Sequence, residues 1–203
     1  KVPFRLSAML AAFRVLIRDP AFMGLTLIGG FGFASFSAFL SMASFLYTEH
    51  YGLTPVEFSF AFAANALGFF ASSQFAANLG ARFGSVNVVR WSVLGYAASA
   101  SLLFAVFLAG VDSFALLVLV LVIGNGFMGL VIPTAMVLSL EEHGEIAGSA
   151  AALGGTLQMV LGVAVMGISS VIFNGTPLPM VAIIAACALA ALLFSVVTLR
   201  GHA

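Results

Sequence analysis

Two carboxamides stand inside long apolar stretches of this chain: Asn125, within Gly124-Asn125-Gly126-Phe127-Met128-Gly129, and Gln158 in a later stretch. A primary amide donates and accepts hydrogen bonds without carrying charge, so the chemistry on offer is recognition of a polar group rather than proton transfer or nucleophilic attack. An amide turned toward lipid would lose its hydrogen bonds, and both are therefore expected to face the interior of a helix bundle. Interhelical hydrogen bonding without any ligand is the plainer reading of the same residues. Phe33, Phe36, Phe58, Phe62 and Phe69 give two neighbouring segments an aromatic character, and Met159 and Met166 form a stripe further on. Aromatic and methionine surfaces adapt to varied apolar ligands. Ser37, Ser41 and Ser44 recur at helical spacing, which suits close helix packing first and binding second. Asn125, Gln158, Phe33, Ser37 and Met159 are the expected lining of a substrate cavity.

The residues missing from these stretches are as informative. No Asp, Glu, Lys, Arg or His is expected near the middle of an apolar segment, where proton relays and counter-ions reside in membrane proteins. Glu57 comes nearest, and Thr54-Pro55-Val56-Glu57 already gives it a part as the carboxylate of a capping box. His50, His143 and His202 fall in loops or at the chain end, so no metal site, no cofactor and no histidine-based protease is implied. With no Gly-x-Ser-x-Gly and no buried acid pair, an intramembrane enzyme is the weakest of the readings.

These side chains need elements to hold them. Of 203 residues, 63% are hydrophobic and 7% charged, against about a quarter charged in soluble domains. The apolar runs extend for about 20 residues without strand-like alternation, which predicts an all-α integral membrane protein rather than a barrel. A formal net charge of zero gives no electrostatic case for a nucleic-acid partner. The single cysteine, Cys187, lies in the last apolar run and reads as a buried structural thiol.

Six spanning helices are predicted, at 21–46, 55–79, 87–109, 113–138, 146–172 and 177–199. Asp19-Pro20, Thr54-Pro55 and Thr176-Pro177 each set a cap before a proline at the first helical position, and Asp112-Ser113 caps the fourth helix. Gly124 to Pro133 admits a break or kink in that fourth helix. Ahead of them, residues 1–19 are expected to form a cytoplasmic amphipathic interfacial helix, with Ser7, Ala11, Arg14 and Arg18 on one face and Leu6, Met9, Leu10, Phe13, Leu16 and Ile17 on the other. Residues 20–203 then form one six-helix transmembrane bundle. Gly148, Gly155 and Gly162, seven residues apart, mark a bare face for another helix to pack on. Asn174-Gly175-Thr176 matches a glycosylation sequon formally, its threonine serving as a cap.

Lysine and arginine occur only in the first eighteen residues, between Arg82 and Arg90, and at Arg200. These places share one side of an even-numbered bundle, so both termini are expected in the cytoplasm. Tyr47, Tyr51 and Trp91 are expected at the interfaces. Phe31-Gly32-Phe33 followed by Glu49-His50, and Gly126-Phe127 followed by Glu142-His143, recur about 93 residues apart, which suggests a 3+3 inverted repeat. The chain begins at Lys1, without an initiator methionine or signal-peptide cleavage site, as a processed or truncated product would.

The turn Ala77-Asn78-Leu79-Gly80-Ala81-Arg82-Phe83-Gly84-Ser85 resembles the loop motif of major facilitator superfamily transporters: Leu79, Arg82 and Gly84 match, while Ala81 and Ser85 replace its acidic and basic positions. The run Ile146-Ala147-Gly148-Ser149-Ala150-Ala151-Ala152-Leu153 with Gln158-Met159 is similar to the eleventh helix of the bicyclomycin and chloramphenicol resistance branch of drug:proton antiporters. Phe45-Leu46-Tyr47 through Glu57-Phe58 and Asn65 is similar to that branch after its seventh helix. The resemblance implies the C-terminal half of a twelve-helix carrier of the bacterial inner membrane, which confers drug resistance through multidrug efflux of amphipathic small molecules. It implies that Leu79, Arg82 and Gly84 serve a cytoplasmic gate, Arg82 by meeting helix-end carbonyls. The expected partners are membrane lipid and a second six-helix bundle, either an N-terminal half or another copy of this chain in a homodimer. The alternative expectation is a structural fragment that assembles and transports nothing.

Overall fold

The computed structural model describes residues 6–141 and 143–199, with side chains from Met9 onward. It contains seven α-helices and no strand among the described residues: α1 (Leu6–Arg18), α2 (Pro20–Phe45), α3 (Pro55–Phe83), α4 (Ser85–Leu108), α5 (Phe114–Glu141), α6 (Ala147–Ile172) and α7 (Pro177–Thr198). A π-helical turn, Leu46–His50, prolongs α2, and a 3-10 turn, Gly144–Ile146, leads into α6.

The chain enters its helices where local chemistry directs it. Asp19 caps α2 by accepting from the Ala21 and Phe22 amides at 2.8 and 3.4 Å, and Pro20 fills the first helical position, where no amide hydrogen is needed. Thr54 and Glu57 form a reciprocal capping box at the start of α3. Two expected caps work differently. Of the Asp112-Ser113 pair it is Ser113 whose hydroxyl oxygen accepts from the Leu116 amide, and Thr176 makes no cap bond because its hydroxyl donates to Asn174 Oδ1 at 2.7 Å. No break appears at Gly124 to Pro133: α5 continues through Pro133 from Phe114 to Glu141.

Five helical segments are long and apolar enough to cross a membrane: Pro20–His50, Ser85–Leu108, Phe114–Glu141, Gly144–Ile172 and Pro177–Thr198. The sixth expected crossing, α3, has 29 residues, enough for about 43 Å of helix, but does not reach the same apolarity. Ser59, Asn65, Ser72, Ser73, Gln74 and Asn78 dilute it.

The long helices form a row, α6, α2, α5, α3, backed by α7 and α4: α2 packs on α6 and α7, α5 on α3 and α4, and both inner pairs, α2 with α5 and α4 with α7, touch. This pairing maps onto itself when α2 is exchanged with α5, α3 with α6 and α4 with α7. The main core lies between the two layers, around Ile28, Met42, Val93, Leu103, Leu117, Val131, Met180 and Ala188. At the ends of the row little is covered. On α3 only Ala61, Asn65 and Ala76 are buried, and on α6 only Ala150, Leu153, Gly154, Gly162 and Ser169.

The α1 helix docks through Ala12 and Leu16, with Leu16 joining Phe22, Ala150 and Leu153 in a second cluster, while Leu10, Val15 and Ile17 stay exposed beside Arg14 and Arg18. Leu16 thus belongs to the protein core rather than to a lipid-facing surface. Tyr47 is also internal. Its ring meets Phe39, Phe58 and Phe114, whereas Trp91 is 69% exposed.

Candidate functional site

A cleft of about 300 Å³ opens between α2, α3 and α5. Phe33, Phe36 and Phe39 from α2, Phe62, Phe69 and Phe70 from α3, and Met128 and Ile132 from α5 supply its apolar wall. The polar part is small: Ser35, Asn65 and Asn125. No lining residue is ionisable, so the cleft suits an apolar or amphipathic ligand whose polar group is met by hydrogen bonds rather than by charge.

The amides form a connected chain. Asn125 Nδ2 donates to Asn65 Oδ1 at 2.9 Å, and Asn65 Nδ2 donates to the Ala61 carbonyl at 2.9 Å. Asn65 is buried and Asn125 half-buried, so one end of the network reaches the cleft. The sequence signal that singled out Asn125 was its place among glycines. Asn65 stands within a stretch of family resemblance, and helical period sets it on the face of α3 that carries Phe58, Phe62 and Phe69.

Glycines allow this pair to meet. A β-carbon on Gly129 of α5 would lie 2.2 Å from the Phe69 carbonyl oxygen, and one on Gly68 of α3 would lie 2.7 Å from the Val122 carbonyl oxygen. The α3 and α5 backbones therefore approach more closely than side chains would permit, one turn from the two asparagines.

The other expected cavity residues are placed apart from this pair. Phe33 lines the cleft, and its ring also rests against Gly162 on α6. Ser37 is buried beside Gly162, its hydroxyl donating to the Phe33 carbonyl at 2.9 Å. Gln158 borders a separate crevice between α2, α5 and α6 with Thr26, Ser139 and Gly155, and its amide nitrogen lies over Gly29. Met159, on α6, is 65% exposed and does not line the cleft. The cleft brings together Asn125 and Phe33 but not Gln158, Ser37 or Met159.

Of the three glycines expected to receive a helix, Gly162 does so against Phe33 and Ser37, whereas a β-carbon at Gly148 or Gly155 would meet nothing within 4 Å. On a straight helix, positions seven apart drift by about 20° per step, so a heptad stripe that touches α2 at one end leaves it at the other. The face that does pack runs through Ala150, Leu153, Gly154 and Gly162.

At the α3–α4 turn, Gly84 alone separates the helices, with φ +84°, and its amide donates to the Gly80 carbonyl at 2.9 Å. Glycine adopts that φ without a side-chain clash. Leu79 lines a shallow groove with Phe83, Asn87 and Trp91. The Arg82 guanidinium lies 5.2 Å from the centre of the Phe83 ring and, among the described residues, reaches no helix-end carbonyl. Arg90 has that part: its Nη2 donates at 2.8 Å to the carbonyl of Leu199, the residue that closes α7, where a cation complements the helix dipole.

Two histidine–aspartate pairs lie outside the cleft. His50 Nε2 stands 2.6 Å from Asp112 Oδ2, and the Tyr51 hydroxyl donates to Asp112 Oδ1 at 2.6 Å. The Tyr51 hydrogen bond, with His50 beside it, holds the Asp112 carboxyl below the usual carboxylate range, while burial and the same carboxylate push the Tyr51 phenol up. His143 Nε2 stands 2.9 Å from Asp19 Oδ2. Among the described residues no group of His, Cys, Asp or Glu side chains could hold a metal ion.

No model of a protein family matches this chain, and no solved structure matches it. A protein of Bacillus subtilis (strain 168), named "Uncharacterized MFS-type transporter YdgK", is 30% identical over 163 residues, covering 80% of this chain and 40% of that protein. The chain thus spans less than half the length of the relative it matches. The likeness is to part of a protein named as an MFS-type transporter, and five helical segments here are long and apolar enough to cross a membrane.

Proposed function

We propose that this chain is part of a major facilitator superfamily transporter, in which α2 to α7 make one six-helix bundle and α3 is its sixth crossing. The exchange of helix partners described above supports a 3+3 inverted repeat, α2–α4 against α5–α7. The orientation proposed from the arginines sets both termini in the cytoplasm of a bacterial cell, with the bundle in the inner membrane. A second six-helix bundle covers the open row α6, α2, α5, α3, and the cleft between α2, α3 and α5 becomes one wall of a central cavity.

The observation that carries this reading is the aromatic cleft with a single amide network at its edge, lined by α2, α3 and α5 and by no other helix among the described residues. Such a wall favours amphipathic small molecules, and drug:proton antiport is the activity proposed for the assembled carrier. The test is flux of a fluorescent amphipathic cation in proteoliposomes under a proton gradient, with this chain joined to or co-purified with its second bundle. Asn125→Leu and Phe33→Ala should each lower that flux several-fold. Equal flux in wild type and both variants would reject the cleft as the site.

A specific observation favours a second reading for the chain by itself. No ionisable group lines the cleft, so proton coupling has no carrier there, and the isolated polypeptide is a non-transporting assembly unit that forms a homodimer. Mass measurement in detergent checks it: a dimer without proton-driven flux supports this reading, and a monomer at every concentration rejects it.

A further inference from the structure

Asp19 and Asp112 stand before α2 and α5, and His50 and His143 follow them; from 19 to 112 and from 50 to 143 the shift is 93 residues in both cases. The pairs cross over. His50 at the end of α2 meets Asp112 at the start of α5, and His143 at the end of α5 meets Asp19 at the start of α2. One histidine–aspartate pair therefore ties each end of the two central helices.

The inner pair, at the Asp19 end, is more than a contact. His143 Nδ1 lies 3.1 Å from the Ser139 carbonyl oxygen and Nε2 2.9 Å from Asp19 Oδ2, so both ring nitrogens face acceptors. Only imidazolium donates from both; a neutral ring turns a lone pair toward one of them. Asp19 is also the cap of α2, so its carboxylate is held by the Ala21 amide while it meets the ring, and the Phe22 ring closes edge-on over His143. The His143 and Asp19 side chains are 10% and 25% exposed, against 28% and 45% for His50 and Asp112. At the outer end, Asp112 keeps the Tyr51 hydroxyl as a second donor whatever the state of His50.

We infer that the two pairs are proton-responsive latches between α2 and α5, closed by imidazolium at both ends, and that the inner latch answers to pH more strongly than the outer. When His143 gives up its proton, the inner one loses the ion pair and sets a lone pair against one of its two acceptors. The outer one keeps both donors, the Tyr51 hydroxyl and the Nε2–H of a neutral His50, and loses only the imidazolium charge.

Other ionisable groups stand at these ends as well. Around the inner pair they are Arg14 and Arg18 on α1, Arg82 at the end of α3, Arg90 near the start of α4, and Glu141 and Glu145 on the segments flanking His143, with Glu142 and Arg200 outside the described residues; α6 and α7 bring none. Around the outer pair they are Glu49, Tyr47 and Tyr51 on the α2 extension and Glu57 on α3; α4, α6 and α7 bring none. Imidazole changes charge near pH 6.5, far from carboxylates, phenols and guanidinium.

This inference does not depend on transport and is tested on the full chain in lipid nanodiscs. Cys187 is replaced by alanine, and spin labels are attached at exposed positions, I17C with V137C for the inner end and T48C with V111C for the outer. Pulsed electron-spin distances are taken from pH 5.5 to 8.5. The short-distance population at the inner end should fall about two- to fivefold across this range, the span expected of a partly exposed ion pair, and the outer one by less than that. H143Q, and independently D19N, should make the inner distance independent of pH while leaving the outer profile unchanged, which also separates His143 from His202 as the titrating group. An inner distance that ignores pH in the wild type, a response that survives both variants, or a larger response at the outer end would overturn the inference.

Discussion

The Asn125 amide on α5 donates to the Asn65 side-chain oxygen on α3 at 2.9 Å, and a β-carbon on Gly129, one turn along α5, would strike the Phe69 carbonyl. The polar contact and the close backbone approach lie side by side, and the first depends on the second. Without the glycines the helices would stand too far apart for two short amides to meet.

Removing the donor tests the first half of that relationship. Asn125→Ala should destabilise the bundle by about 0.6 to 1.7 kcal/mol, the span found for interhelical hydrogen bonds in membranes. The Asn65→Ala, Asn125→Ala double variant should cost less than the sum of the single ones. Reversible unfolding in mixed micelles measures all three, and strict additivity would argue that the pair is not coupled.

Alanine at glycine positions tests the second half. Gly129→Ala should cost about 1 to 3 kcal/mol, because the obstructing atom is a backbone carbonyl that cannot turn away. Gly148→Ala and Gly155→Ala meet no neighbour and should be neutral or stabilising by up to about 1 kcal/mol through helix propensity. The same unfolding assay ranks the three.

Much of this arrangement is legible in the chain, and the misses have physical causes. The starts of α2 and α3 follow from Asp19-Pro20 and from the Thr54 to Glu57 box because a cap is a local interaction, complete within four residues. Which face of a helix meets which neighbour is decided over the whole bundle. That is why Gly148 and Gly155 read as a contact stripe yet face open space, and why Gln158 and Asn125 occupy separate recesses. Tyr47 illustrates the same limit: its position near a helix end suggested the interface, but a π-helical turn and three aromatic neighbours hold it in the core. In α3, the composition that supplies Asn65 to the cleft also lowers apolarity below that of the other long helices.

Arginine substitutions should separate two residues of equal charge. Arg90→Gln removes the bond to the Leu199 carbonyl and should cost about 0.3 to 1 kcal/mol, with faster proteolysis at the end of α7. Arg82→Gln should leave thermal stability of this chain unchanged, since its contact is an exposed ring. Thermal unfolding and limited trypsin digestion in detergent check both.

The outer carboxylate gives a pH prediction with a definite sign. The folded Asp112 carboxyl titrates below its unfolded value, so its contribution to stability is present above the unfolded value and disappears as pH falls through the folded one. Tyr51→Phe removes the largest cause and should move the Asp112 titration up toward about 3.9, the ordinary aspartate value. Carbon-detected NMR of the side-chain carboxyl follows that shift, and an unmoved titration would assign the effect elsewhere.

The wall of the aromatic cleft carries no formal charge, and this has an electrical consequence. Reorienting an electroneutral surface in the bilayer field moves no charge of its own, so this segment adds nothing to voltage dependence through that wall. Any current recorded from an assembled carrier must originate in its cargo, in a coupling ion or in charged side chains outside that wall.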